Sequence, residues 1–67
     1  MNNTLEVGDS FYVFNCTSIY TVKGFYGIFT IDSLNRYYAS NQCCRATKEN
    51  YEMLCKLFPN LVFQEPI

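Results

Sequence analysis

The stretch Ile19 to Ser40, IYTVKGFYGIFTIDSLNRYYAS, constrains this chain more than any other. Its aromatic and β-branched residues suit a pleated, half-buried surface, and nothing else in the sequence is long or apolar enough to seed a core. Ile19 to Tyr26 reads as a strand in which Gly24 marks a bulge or sharp bend. Gly27 adds a second bend, so the chain is expected to coil strongly here. Ile28 to Ile31 alternates as a strand, and Asp32-Ser33-Leu34-Asn35 is a four-residue turn of type I character. Arg36 to Ser40 then returns as the hairpin partner. Adjacent strand residues face opposite ways, so Tyr37 and Tyr38 cannot both be buried. The stretch is both scaffold and candidate working surface.

The flanks are read from the same periodicities. Thr4 to Val7 is a short strand or an ordered arm, closed by the Gly8-Asp9 turn. Ser10 to Asn15 is a strand with Phe11 and Val13 on one face and Tyr12 and Phe14 on the other. Two apolar faces imply a strand covered on both sides or lying at an interface. Asn15 to Ser18 is a loop and Asn41 to Arg45 a connector. The period then changes to that of a helix: Thr47 can cap it, and Tyr51, Leu54, Cys55 and Phe58 fall on one face. Met53 and Leu57 widen that face, and Glu52–Lys56 is a favourable i,i+4 pair. Pro59-Asn60 ends the helix, and Leu61 to Phe63 is expected as a short last strand.

The fold class that follows is mainly β, in the α+β sense. It is a small, strongly bent antiparallel sheet or SH3-like barrel of about five strands with one C-terminal helix. Residues 1–67 form a single domain, with the β-region at about 4–40, the helix at about 48–58 and the last strand at about 61–63. A chain of 67 residues buries only about 60% of its unfolded surface and is marginal in stability. Six Phe and six Tyr help, since each large aromatic brings about 150–250 Å². Such residues are also enriched at interfaces.

Composition excludes several kinds of chemistry. A net charge of −1, from five basic and six acidic residues, gives no footprint for duplex DNA. No apolar run approaches the roughly 18 residues of a membrane span, so no membrane partner is expected. The start, MNNTLEVGDS, has neither the positive nor the apolar region of a signal peptide, so the expected location is the cytoplasm. There Cys16, Cys43, Cys44 and Cys55 stay thiols, and the two Asn-x-Ser/Thr matches carry no glycan. With no histidine, the commonest general base and metal ligand are missing. The six carboxylates show no pairing, so no catalytic residues and no cofactor are expected. The cysteine spacing also lacks the paired knuckles of a structural zinc site, and adjacent Cys43 and Cys44 diverge. Lys23-Gly24-Phe25-Tyr26-Gly27 lies within strands and opens no helix, unlike a phosphate-binding loop.

Two binding modes remain. Tyr12, Tyr20, Tyr26, Tyr37 and Tyr38 with Lys23, Arg36 and Arg45 could form a stacking platform for a small nucleotide ligand or single-stranded nucleic acid. Protein binding through a tyrosine-rich sheet face and short edge strands fits the composition better. The same residues could instead close a homo-oligomer, or serve a self-assembling structural subunit.

The C-terminal run Arg45-Ala46-Thr47-Lys48-Glu49-Asn50-Tyr51-Glu52, continued by Leu54, Leu57, Phe58 and Pro59 and closed by Phe63 and Glu65-Pro66, resembles the ends of small phage-encoded accessory proteins. The likeness covers about the last third of the chain, plus the Gly-Asp entry of its β-region. It carries no catalytic motif. It implies a non-catalytic protein that binds and blocks a host protein stoichiometrically, such as an inhibitor of a host or anti-phage defence factor, or one that sequesters a small signal.

Overall fold

A computed structural model describes residues 4–66. Five strands and one helix follow in order: β1 Ser10–Val13, β2 Ile19–Tyr26, β3 Phe29–Asp32, β4 Tyr37–Ala39, β5 Cys43–Arg45 and α1 Lys48–Leu57. A single 3-10 turn, Ser40–Gln42, joins β4 to β5. All pairings are antiparallel, in the order β4-β3-β2-β1-β5. The small bent antiparallel sheet with a C-terminal helix is therefore the architecture, with the sheet left open between β4 and β5.

The bend resides in β2. Its first half pairs with β1 and its second with β3, and the register shifts between Val22 and Gly24. In a flat sheet β1 and β4 would lie about 14 Å apart. The Phe11 and Tyr38 rings, on those two strands, meet at 5.9 Å between centroids. Strong curling is what closes that gap, and it lets one face of the sheet wrap around its own core.

That inner core contains Phe11, Val13 and Val22, against which Leu5, Cys16, Tyr20, Tyr38 and Cys43 pack. The opposite face of β1 carries Tyr12, which joins Cys44, Leu54 and Phe63 in a second core under α1. β1 is thus covered on both sides, as its two apolar faces require. Cys43 and Cys44 serve different cores, each as a small hydrophobe. All four cysteines are free thiols.

Several boundaries differ from the sequence reading, for local reasons. The segment from Thr4 to Val7 forms no strand; it is the ordered arm, held where Gly8 N–H donates to Val22 O at 2.9 Å. The fifth strand is instead Cys43–Arg45, within the expected connector, because Phe11, Tyr12 and Val13 offer it a free edge. Gly27 and Ile28 form a two-residue hairpin turn, with Gly27 at φ +58°. Glycine at such a site avoids a steric penalty. Residues 61–63 form no strand. They are held by burial of Phe63 and by Gln64, whose N–H donates to Thr17 O at 2.7 Å.

The helix begins where expected, with Thr47 Oγ1 accepting from Asn50 N–H at 3.1 Å. Its inward face is the expected one, Tyr51, Leu54, Cys55 and Phe58, but it is widened by Asn50 and not by Met53 and Leu57. Leu54 and Asn50 are buried, Tyr51, Cys55 and Phe58 half-buried, and Met53 and Leu57 exposed. Asn50 can face inward because its Nδ2 donates to Arg45 O at 2.7 Å, which binds the helix start to β5. The described ion pairs are Arg36–Asp32 and Arg45–Asp9; Glu52 and Lys56 form none.

Candidate functional site

Directly paired residues share a sheet face, so the register sorts every side chain. Val22 pairs with Asp32 and Phe25 with Thr30, which puts Tyr20, Val22, Phe25, Thr30 and Asp32 on the inner face. Tyr26 pairs with Phe29 and Ile31 with Tyr37, on the outer face. Without the bulge, strict alternation would place Tyr26 beside Tyr20 and Val22. The extra residue at Lys23 reverses the parity and sends Tyr26 outward.

The outer face is divided. Over β1 and β5 it is covered by α1 and the segment after it. At the start of β2, Ile19 still packs against that cover; over the second half of β2 and over β3 and β4 the face is open. There Tyr26 is 70% exposed, Tyr37 55% and Phe29 38%, with Ile28 at the adjoining turn 74% exposed. The rings form one cluster: Tyr26–Tyr37 centroids lie 6.4 Å apart and Phe29–Tyr37 6.1 Å, both edge-to-face. Rings in edge-to-face contact of this kind attract one another and form one continuous apolar surface.

The eight residues singled out from the sequence do not form one platform. Tyr12 is fully buried, and its hydroxyl donates to Gln64 O at 2.7 Å; burial pushes its pKa up to about 12. It belongs to the core and offers no binding surface. Tyr20 and Tyr38 are half-buried and pack on each other at 5.3 Å. Arg36 lies over the Tyr20 ring at 5.4 Å, within cation–π range. Only Tyr26 and Tyr37 reach the bare face. The cations are dispersed and engaged: Lys23 donates to Asn35, Arg36 pairs with Asp32 at 3.1 Å, and Arg45 pairs with Asp9 at 3.2 Å. Arg45 also donates from Nη2 to Thr4 O at 2.7 Å. Phe29 and Ile28 complete the face but were not among the expected residues. The signal that could have found them is the two-residue spacing across Gly27-Ile28, which sets Phe29 opposite Tyr26.

Asp32 holds this end of the sheet in shape. It is 1% exposed and accepts from Leu34 N–H and Arg36 N–H at 2.9 Å, Arg36 Nε at 3.1 Å and Tyr38 OH at 2.8 Å. Burial alone would raise its pKa, but these donors prevail and hold the carboxyl below its ordinary value. Burial, and then the same contact with Asp32, raise the pKa of the Tyr38 phenol. A concavity of about 750 Å³ lies between the start of α1 and Glu65-Pro66, bordered by Lys48, Tyr51 and Glu52. None of the eight expected residues lines it.

Among the described residues, no group of three or more Cys, Asp or Glu could hold a metal ion, and no helix is long and apolar enough to cross a membrane. In comparison with known proteins, no family model, no curated protein and no solved structure matches the chain.

Proposed function

We propose that this chain is a non-catalytic, stoichiometric interaction protein whose working surface is the bare aromatic face of β2, β3 and β4. The observation that carries this reading is the cluster Tyr26, Phe29 and Tyr37, its rings in mutual contact and exposed on a face that α1 and the segment after it cover only over β1, β5 and the start of β2. Exposed apolar patches of this kind mark interaction sites, and tyrosines anchored by neighbours lose little entropy on binding. The partner proposed is a host protein in the cytoplasm of a bacterial cell, where a phage-encoded inhibitor would act; the C-terminal likeness to phage accessory proteins supports that choice. A stacking role toward nucleotides would use the same rings, but Lys23, Arg36 and Arg45 are each engaged by other side chains rather than gathered beside them.

The test is capture from a bacterial lysate, with the Tyr26→Asp, Tyr37→Asp double variant as control. A host protein retained in stoichiometric amount by the natural chain and lost with the variant is the expected result. No retention above background, or equal retention by the variant, overturns the proposal.

A further inference from the structure

The hairpin that joins β2 to β3 breaks a rule of turn chemistry. Tyr26 and Phe29 close it, and Gly27 and Ile28 are its two central residues. Gly27 has φ +58°, and Ile28 does not share the positive φ, which is the sign pattern of a type II′ turn. The second central position of such a turn is commonly Asn, Asp or Ser, whose short polar side chains suit an exposed bend. A β-branched aliphatic has no such advantage. At 74% exposed, Ile28 adds nothing to either core. A local rule broken with no gain to the fold points to a role outside it.

The turn is also held in place. Ile28 O accepts from Ser40 N–H at 2.9 Å, which ties the tip to the end of β4. Beside Ile28 lies a concavity of about 370 Å³, bordered by Ala39, Ser40 and Asn41. The tip is therefore an apolar projection with its backbone already placed, next to a shallow hollow and backed by the exposed Tyr26. A projection placed before binding loses less freedom on docking.

Charge narrows the occupant. Residues 24–31 and 37–44 contain no charged side chain. Lys23, just before them, reaches away to Asn35 at the far end of β3. Burying the tip thus dehydrates no ion. It also offers no cation to an anionic lipid surface, which attracts through Lys and Arg, and the chain as a whole carries −1. What complements such a tip is an uncharged apolar cleft.

We propose that Ile28 is the anchor of the interaction face, a knob that enters an uncharged apolar cleft on a partner protein, with Tyr26 packing at the rim. The proposal rests on the interaction reading above and adds to it the residue that dominates affinity and the chemistry of the surface that receives it.

The test uses the protein captured from the lysate, purified and titrated with the natural chain and its variants. Each methylene removed from a filled cleft weakens binding about fourfold, so Ile28→Val should raise the dissociation constant about fourfold and Ile28→Ala about sixtyfold. Leu34→Ala, at the other turn and 67% exposed, should leave it unchanged. Raising salt from about 0.05 to about 0.5 M should alter it by no more than about twofold, since no charge enters the contact. Ile28→Asn should abolish binding while keeping or raising the melting temperature, because Asn suits the turn; a residue needed for the fold would lower it.

A partner held as tightly by Ile28→Asn or Ile28→Ala, yet lost with Tyr26→Asp, Tyr37→Asp, overturns the anchor and leaves the interaction reading standing. Binding that weakens steeply with salt overturns the uncharged cleft. Co-sedimentation of the natural chain with phosphatidylcholine vesicles, lost in Ile28→Asn, makes lipid the occupant and overturns the protein partner. A natural chain that retains no protein overturns the interaction reading itself, and the anchor with it.

Discussion

Replacing Asp32 by Asn tests whether one buried carboxylate organises the β3–β4 hairpin. Asn retains an acceptor for the Leu34 and Arg36 amides, so the turn should keep its bonds. What is lost is the charge that receives Tyr38 OH at 2.8 Å and the Arg36 guanidinium at 3.1 Å. A hydrogen bond to a charged group contributes about 1.5–3 kcal/mol. The Arg36 side chain is 53% exposed, so its share is about 0–1 kcal/mol. The expected cost at neutral pH is therefore about 2–3 kcal/mol, or a melting temperature lower by roughly 10–20 °C in a domain of this size. Tyr38→Phe alone should cost about 1–2 kcal/mol, and a double-mutant cycle should show coupling of about 1 kcal/mol or more, since the shared bond is lost once.

The pH dependence follows from the same carboxylate. Its folded pKa lies below the unfolded value of about 3.9. Its contribution is thus fully present above the unfolded value and lost as pH falls through the folded one. Urea titrations of the natural chain should show stability falling below about pH 4, with that component absent in Asp32→Asn. A variant within about 0.5 kcal/mol of the natural chain at neutral pH, or one with the same acid slope, would refute the argument.

Three further outcomes are expected from stability and labelling measurements. Gly24→Ala should be neutral or stabilise by up to about 1 kcal/mol, because Gly24 has no positive φ and open space where a Cβ would sit; Gly27→Ala, at φ +58°, should cost about 1–2 kcal/mol. On the helix, Leu54→Ala should cost about 2–5 kcal/mol, whereas Met53→Ala, at the exposed margin, should change thermal stability by no more than about 0.5 kcal/mol. Burial pushes the Cys44 thiol up to about 11, so a disulfide reagent at pH 8 should modify Cys44 at the rate of global unfolding; labelling as fast as that of an unfolded control would show the second core to be open.

The features with local causes were legible in the sequence. The Asp32 to Asn35 turn, the Thr47 cap, the two-sided apolar pattern of β1 and the bulge near Gly24 all depend on residues within a few positions of one another. Opposite orientations for Tyr37 and Tyr38 followed from the strand period alone. Which tyrosines face outward did not, because the single extra residue at Lys23 reverses the parity of the second half of β2. That choice is made by long-range pairing with β3. The helix face of Tyr51, Leu54, Cys55 and Phe58 was legible, but its margin was not: hydropathy favours Met53 over Asn50 as a buried residue, and only the fold brings Arg45 O within reach of the amide of Asn50. Tyr12 shows the same limit, since its hydroxyl partner at Gln64 lies 52 residues away.

The stretch Ile19 to Ser40 by itself determined that this protein would be a bent sheet with more aromatic rings than one core can hold. The tertiary structure decided which rings were left over on the outer face, because α1 and the segment after it cover that face only over β1, β5 and the start of β2. The division has a physical cause: the sequence fixes each strand's alternation, but burial depends on register and on where a distant helix docks.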